Sequence, residues 1–399
     1  MIQSSAISSA SESGSPGRPR VLLVGGPDVD ARIDLMRSLE HDFEVSALGT
    51  DPHLASTFAA SGFRYRHYRM SRGVNPIMDA FGLLQLVRIF RAEAPDIVHT
   101  FDTKPGVWGR LAARIARVPV VIGTLPGLGS LYATPGRRGK LVRLAYQPLQ
   151  TLACRLADRT IFQNPDDARE FQKRRVVTRR KTVVIGGSGV RTDVLRPQTD
   201  PATAEYRSEL GLPERGLVVL TVTRVLRPKG VLELARAARE VRLQDPSIRF
   251  VLAGPADDQS MDALTAKELD ELRDALTWIG ARRDVQRLLA LADVFVFPSF
   301  YREGIPRALL EAASMALPLI AADVAGSREV VEHGVNGLLI APRDAHAIAE
   351  AVLRLAREPD LRARFGAEAR RRAIAEFDLA AIAARTASLY RELLPLDSA

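Results

Sequence analysis

The chain has 399 residues, 46% hydrophobic and 26% charged, which is enough for two domains of ordinary size and excludes a disordered protein. Its single cysteine, Cys154, rules out an intrachain disulfide and suits a reducing compartment, and no apolar run approaches the roughly 20 residues that span a bilayer. The net charge of +9 lies in the first half, where residues 1–200 carry 29 Lys and Arg against 18 Asp and Glu; residues 201–399 carry 27 against 29. A nucleic acid, an anionic membrane or a phosphorylated substrate would each match that half.

Residues 1–17 are rich in Ser, Gly and Ala, with neither a basic start nor an apolar core, and read as a disordered tail, not a signal peptide. Residues 21–24 form a short apolar strand closed by Gly25 and Gly26, a tight turn into a helix-period segment. Strand-like and helix-like pieces then alternate over 43–48, 77–91, 97–99, 107–117 and 118–122, which argues for a parallel sheet wrapped by helices. His99 ends a buried strand, where a histidine is commonly fixed by hydrogen bonds within the fold. Lys104 starts the next helix, and its charge opposes the partial positive charge of a helix N-terminus. A bound phosphate would relieve that conflict, so Lys104 is a candidate anion contact beside the simpler reading of a solvated lysine.

Residues 136–140 lack the spacing and the Ser or Thr of a P-loop. From 137 to 181 there are 13 basic residues against 4 acidic ones. Leu141, Leu144, Leu149 and Leu152 interleave with Arg137, Arg138, Lys140 and Arg143, as in a basic amphipathic helix for a membrane surface or an ordinary helix with one core face. Further basic runs at 173–175 and 179–181 have few aromatics among them, which speaks against nucleic acid.

Residues 191–215, polar and Pro-rich, read as a hinge to a second domain. After its first strand, 217–222, Arg224 and Lys229 stand with four residues between them at a strand–helix junction. Two cations there suit the charge that grows on a leaving diphosphate. No Asp-x-Asp motif is recognised as a metal site anywhere in the chain, so they would replace a divalent metal. The apolar run 294–297 is a buried strand, followed by a loop with Glu303 and Gly304 and a helix opened by Pro306 at its first position. Helix N–H groups at the carboxyl end of a sheet are where α/β proteins bind anions. Glu303 and Glu311 flank this site. A carboxylate is repelled by phosphate but accepts hydrogen bonds from sugar hydroxyls, and a glycosyl nucleotide offers both.

Glu303 and Glu311, with Pro298-Ser299, Gly304, Pro306 and Ala312 around them, resemble the Glu-x7-Glu motif of the retaining glycosyltransferases of family 4. The resemblance covers roughly residues 20–393 and is strongest to the branch that extends polyprenyl-diphosphate-linked sugars. It implies an α/β protein of the GT-B fold, with two Rossmann-like domains facing a cleft. The first domain would span 18–190, the second 191–376, and a C-terminal crossover helix and tail 377–399. It implies transfer of a hexose or N-acetylhexosamine from a UDP-sugar to a lipid-linked saccharide in cell-surface polysaccharide assembly. The enzyme would act at the cytoplasmic face of the inner membrane, bound peripherally to its anionic surface, with no metal, cofactor or nucleic acid.

By the family's motifs, Arg224 and Lys229 hold the diphosphate. Glu303 contacts the sugar hydroxyls beside the N–H groups of Gly304 and Ile305, and Glu311 binds the ribose. Gly25 and Gly26 lie where donor and acceptor meet. His99 and Lys104 fit a His-x4-Lys-Pro segment, with His99 near the donor sugar, and Trp278 falls in the base-binding region. Two departures stand out: Pro126-Gly127 occupies the place of a usual His-Gly pair, and Arg191 that of a usual acidic residue. A GT-B sugar-nucleotide epimerase or a non-catalytic sugar-nucleotide-binding protein would share the fold, and the complete Glu-x7-Glu argues against both.

Overall fold

Alternating apolar strands and amphipathic helices build two parallel sheets, and the sheets decide where the polar loops meet. The computed structural model describes residues 17–71, 75–125, 127, 136–197, 203–258, 260 and 262–395, without the side chains of 136–143, 145 and 203. The expected tail and the side chains of Arg137, Arg138, Lys140 and Arg143 therefore lie outside the described residues. The first sheet contains β1 (Arg20–Val24), β2 (Glu44–Gly49), β3 (Arg64–His67), β4 (Ile97–Thr100), β5 (Val120–Leu125), β6 (Arg159–Phe162) and β7 (Thr182–Val184). They lie in the order β3-β2-β1-β4-β5-β6-β7. The second contains β8 (Val218–Val222), β9 (Arg249–Ala253), β10 (Thr277–Trp278), β11 (Val294–Phe297), β12 (Leu319–Ala322) and β13 (Gly337–Ile340), in the order β10-β9-β8-β11-β12-β13.

Every strand pair is parallel, so helices must return the chain across both faces and the central strands are buried on both sides. This is why β11 reads Val-Phe-Val-Phe without alternation. Phe295 and Phe297 join the core with Leu309, Leu310 and Leu319, while Val294 and Val296 join the opposite core with Ile320 and Val352. Strand order reverses between β1 and β4 and again between β8 and β11. Such switch points splay the loops at the carboxyl ends of the strands and open a crevice. Phe295 pairs with Leu220, which brings the ends of β8 and β11, and hence their loops, side by side.

The chain returns to the first domain at its end. Val190 and Asp378 form a parallel bridge, with Val190 N–H donating to Phe377 O at 2.9 Å and Leu379 N–H to Val190 O at 3.0 Å. Asp378 caps the helix Leu379–Leu393 by accepting from Ala380 N–H at 2.9 Å. That helix buries Ile382, Ala383, Ala387, Leu389 and Tyr390 among Leu23, Met36 and Phe43 of the first domain. No helix among the described residues is long and apolar enough to cross a membrane.

Candidate functional site

The second domain supplies one wall from the loops after β8 and β11. After β8, Arg227–Lys229 make a 3-10 turn that ends in Gly230 with φ of 72°. A Cβ there would meet Pro298 O at 2.3 Å, so the two loops can touch only because residue 230 is glycine. Phe300 and Tyr301 N–H both donate to Pro228 O, at 3.0 and 3.1 Å. The result places Lys229 Nζ 2.5 Å from Glu303 Oε1, and Ser299 Oγ donates to the same oxygen at 3.2 Å. The Lys229 side chain is 11% exposed and that of Glu303 24%.

Arg224 stands at the mouth, 57% exposed, with one ion pair to Asp257 at 3.2 Å. An exposed pair of this kind holds its partner weakly, by at most about 1 kcal/mol, so Arg224 can turn to a ligand. Arg227, between the two, is already committed to both oxygens of Glu268. Hydrogen bonds from Arg227 and Thr265 hold the Glu268 carboxyl down at about 2.

Pro306 is the N-cap, with ψ of 120°, and the helix begins at Arg307, one residue later than the sequence suggests. Glu311 accepts from Arg307 Nε at 2.8 Å, and Arg307 lies 4.0 Å from Asp34 of the first domain. Glu311 faces a cavity of about 380 Å³ between the domains, shared with Asp34, Arg191, Arg283 and Gln286.

The first domain supplies the other wall. Gly25 and Gly26 follow β1; Tyr68 O–H donates to Gly25 O at 3.0 Å and Gly26 N–H to Asp102 Oδ2 at 2.8 Å. The Glu303 loop itself is gripped by first-domain residues to which the sequence assigns no role. Asn164 Nδ2 donates to Gly304 O at 3.1 Å, and Ile305 N–H donates to Gln163 Oε1 at 3.1 Å. Gly127, with φ of 125°, comes so close that a Cβ would lie 2.7 Å from Gly304 N. Arg302 pairs with Asp167 at 3.3 Å. The Ile305 N–H, expected beside the sugar, is thus already satisfied across the domains. Asn164-Pro165 has the pattern of a helix start, and Asn164 does cap Asp167 N–H at 2.7 Å; nothing local marks its second partner. One Asp-x-Asp spacing exists in the first half, Asp28-Val29-Asp30, at the short helix Val29–Arg32. Among the described residues no three His, Cys, Asp or Glu side chains are grouped to hold a metal.

Two residues expected at the substrate are engaged within the fold. His99 is 2% exposed, with Nδ1 2.6 Å from Tyr390 Oη and Nε2 2.7 Å from Thr124 Oγ1. Both ring nitrogens are occupied, so His99 fastens the C-terminal helix to the first domain and has no atom to offer a sugar. Burial, reinforced by Arg32 and Arg110, pushes its pKa down to about 3. The unfolded chain therefore takes up a proton near pH 6.5 that the folded chain refuses until about 3, and stability falls as pH drops through that window. Urea unfolding should show about 1 kcal/mol lost between pH 7.5 and 5.5 from this group. The same increment should vanish in His99→Gln. An unchanged pH slope in that variant would contradict the assignment.

Lys104 donates from Nζ to Asp79 Oδ1 at 2.5 Å and to Ser71 Oγ and O at 2.8 and 3.0 Å. Asp79, 5% exposed, relieves the conflict at the helix N-terminus that a phosphate was expected to relieve. Lys104→Met strands a buried carboxylate and should cost about 3 kcal/mol in denaturant unfolding, with KM for the donor unchanged. A raised KM at wild-type stability would restore Lys104 to the substrate site.

Two doubly wound domains, with cations and a carboxylate meeting at the strand ends, have the GT-B architecture. The family described as glycosyl transferases group 1 matches residues 202–372, and the glycosyl transferase 4-like domain matches 33–188. The UDP-Gal:alpha-D-GlcNAc-diphosphoundecaprenol alpha-1,3-galactosyltransferase of Escherichia coli is 31% identical over 72% of this chain and 73% of its own. The N,N'-diacetylbacillosaminyl-diphospho-undecaprenol alpha-1,3-N-acetylgalactosaminyltransferase of Campylobacter jejuni is 28% identical over 84% of this chain and 87% of its own. The Anabaena protein HepE, solved in complex with UDP, has the same fold at a TM-score of 0.75 and 21% identity, covering 94% of this chain and 100% of that one. The chain belongs to family 4 of the glycosyltransferases.

Proposed function

We propose that the chain is a retaining transferase that moves a hexose or N-acetylhexosamine from a UDP-sugar to a lipid-diphosphate-linked saccharide, working peripherally at the cytoplasmic membrane face in cell-surface glycan assembly. The observation that carries this reading is the Lys229–Glu303 contact beside an exposed Arg224. An ammonium has three donors, so Lys229 can meet the donor diphosphate while it keeps Glu303 in place. Arg224 swings from Asp257 to the same phosphates, and the two cations serve where a metal ion otherwise would. Glu303 accepts from the sugar hydroxyls, and Glu311 from the ribose.

The acceptor hydroxyl adds to the anomeric carbon on the face that the diphosphate leaves. The bond from that carbon to the phosphate oxygen breaks, and the hydroxyl proton passes to the departing diphosphate. Lys229 and Arg224 stabilise the charge that grows there. The named relatives from E. coli and C. jejuni make alpha linkages on diphospho-undecaprenol sugars, and HepE binds UDP, which supports the donor and acceptor classes proposed. From an alpha-linked UDP-sugar, an alpha product requires retention. The basic first half fits an anionic acceptor held in an anionic membrane.

The test is UDP release from a panel of UDP-sugars, with and without extracted polyprenyl-diphosphate lipids. Release that requires one sugar and the lipid together is expected, with retained configuration in the product by NMR. UDP binding with no release under any pairing would overturn the transferase reading.

A further inference from the structure

We propose that the end of the first domain remote from the cleft holds the phosphate headgroup of an anionic membrane lipid, in a groove rimmed by Arg155, Arg175 and Arg179. This rests on the membrane reading above and assigns its contact. The groove encloses about 410 Å³ and is floored by Cys154, Val176 and Val177. All three rim arginines are exposed, and no carboxylate lines the groove. Of the neighbouring cations, Arg174 is paired with Glu170 at 2.6 Å. Lys181 donates to Arg155 O and Ala157 O at 2.5 and 2.6 Å, closing the end of the helix Gly136–Leu156. Those two are occupied by the fold, whereas the rim arginines remain for a ligand. Arg175 has φ of 56°, a conformation that glycine adopts without strain, yet the position carries a long cation.

The helix that leads to this groove points to lipid rather than to another polyanion. Leu144, Pro148, Leu152 and Arg155 lie on one face of it, and all are exposed, Leu144 to 74% and Leu152 to 43%. Exposed leucines ending in a cationic groove match the boundary between acyl chains and headgroups. The stripe runs about 16 Å, from near Tyr146, whose O–H donates to Thr103 O in the loop after β4, to the groove. Thr103 lies at the carboxyl end of the sheet, so the Leu144 end of the stripe faces the cleft. A helix laid along the membrane in this way holds the cleft mouth where a lipid-linked acceptor can enter it.

The experiment is flotation with phosphatidylcholine vesicles, with and without phosphatidylglycerol. Wild type should float only with the anionic vesicles. The variant Arg155→Gln/Arg175→Gln/Arg179→Gln should bind them roughly 100-fold more weakly, with UDP affinity and thermal unfolding unchanged. A variant that binds as wild type does would overturn the headgroup site and leave the membrane reading standing. A wild type that floats with neither vesicle would remove both, while UDP release from a soluble acceptor would still report on the transferase separately. Displacement by soluble glycerol phosphate would show a free-phosphate site instead and overturn the proposal. Hydrogen exchange on the wild type gives a measure independent of the variant's folding. Anionic vesicles should slow exchange at 152–156 and 175–181, and protection confined elsewhere would also overturn it.

Discussion

Lys229→Ala is expected to lower turnover about 1,000-fold while changing KM for the UDP-sugar less than tenfold. The side chain is 11% exposed and fixed by Glu303, so its charge acts in a site from which much of the water is excluded. The diphosphate carries more charge as it leaves than while it is bound to the sugar. A fixed cation therefore favours the transition state over the ground state, and its removal shows in kcat. Arg224→Ala should cost less, about 10- to 100-fold, because at 57% exposure its charge is screened by solvent. Removing Lys229 leaves Glu303 with Ser299 and with access to water, so the loss of stability should stay near 1 kcal/mol. Initial rates of UDP release, measured beside urea unfolding, separate the two effects. A folded Lys229→Ala protein with wild-type turnover would sink the assignment of this residue to the diphosphate.

The parts of this site that local chemistry dictates were legible in the sequence. Strand β11 is apolar at every position because parallel strands are covered on both faces, and that alone marks a buried strand feeding a loop. Arg224 and Lys229 stood out because two cations at a strand–helix junction suit a diphosphate, and both lie between β8 and the helix that follows it. What the sequence hid was set by distant parts of the chain. Lys104 did face an electrostatic conflict at its helix, but Asp79, 25 residues earlier, resolves it instead of a ligand. His99 is claimed by Tyr390, 291 residues away on the returning helix. The grip of Gln163 and Asn164 on Gly304 and Ile305 depends on how one domain sits against the other, and no periodicity or spacing encodes that.

Glu303→Gln should lower turnover about 100-fold and Glu303→Ala about 1,000-fold. Glutamine keeps the length of the side chain and one carbonyl oxygen, but it removes the charge that Lys229 contacts at 2.5 Å. A hydrogen bond from a sugar hydroxyl to a neutral acceptor is roughly half as strong as one to a carboxylate. Neither change should disturb the loop, since Gly304 O and Ile305 N–H are held by Asn164 and Gln163 through backbone atoms. The double variant Lys229→Ala/Glu303→Ala tests whether the two side chains act as one unit. On the roles proposed, Lys229 positions Glu303 as well as meeting the diphosphate, so the two losses should overlap in part, and the double variant should lose clearly less than the product of the two single losses. Losses that multiply would mean that cation and carboxylate act on the donor independently. Their contact would then be a feature of the ligand-free protein alone, with each side chain leaving the other when the UDP-sugar enters.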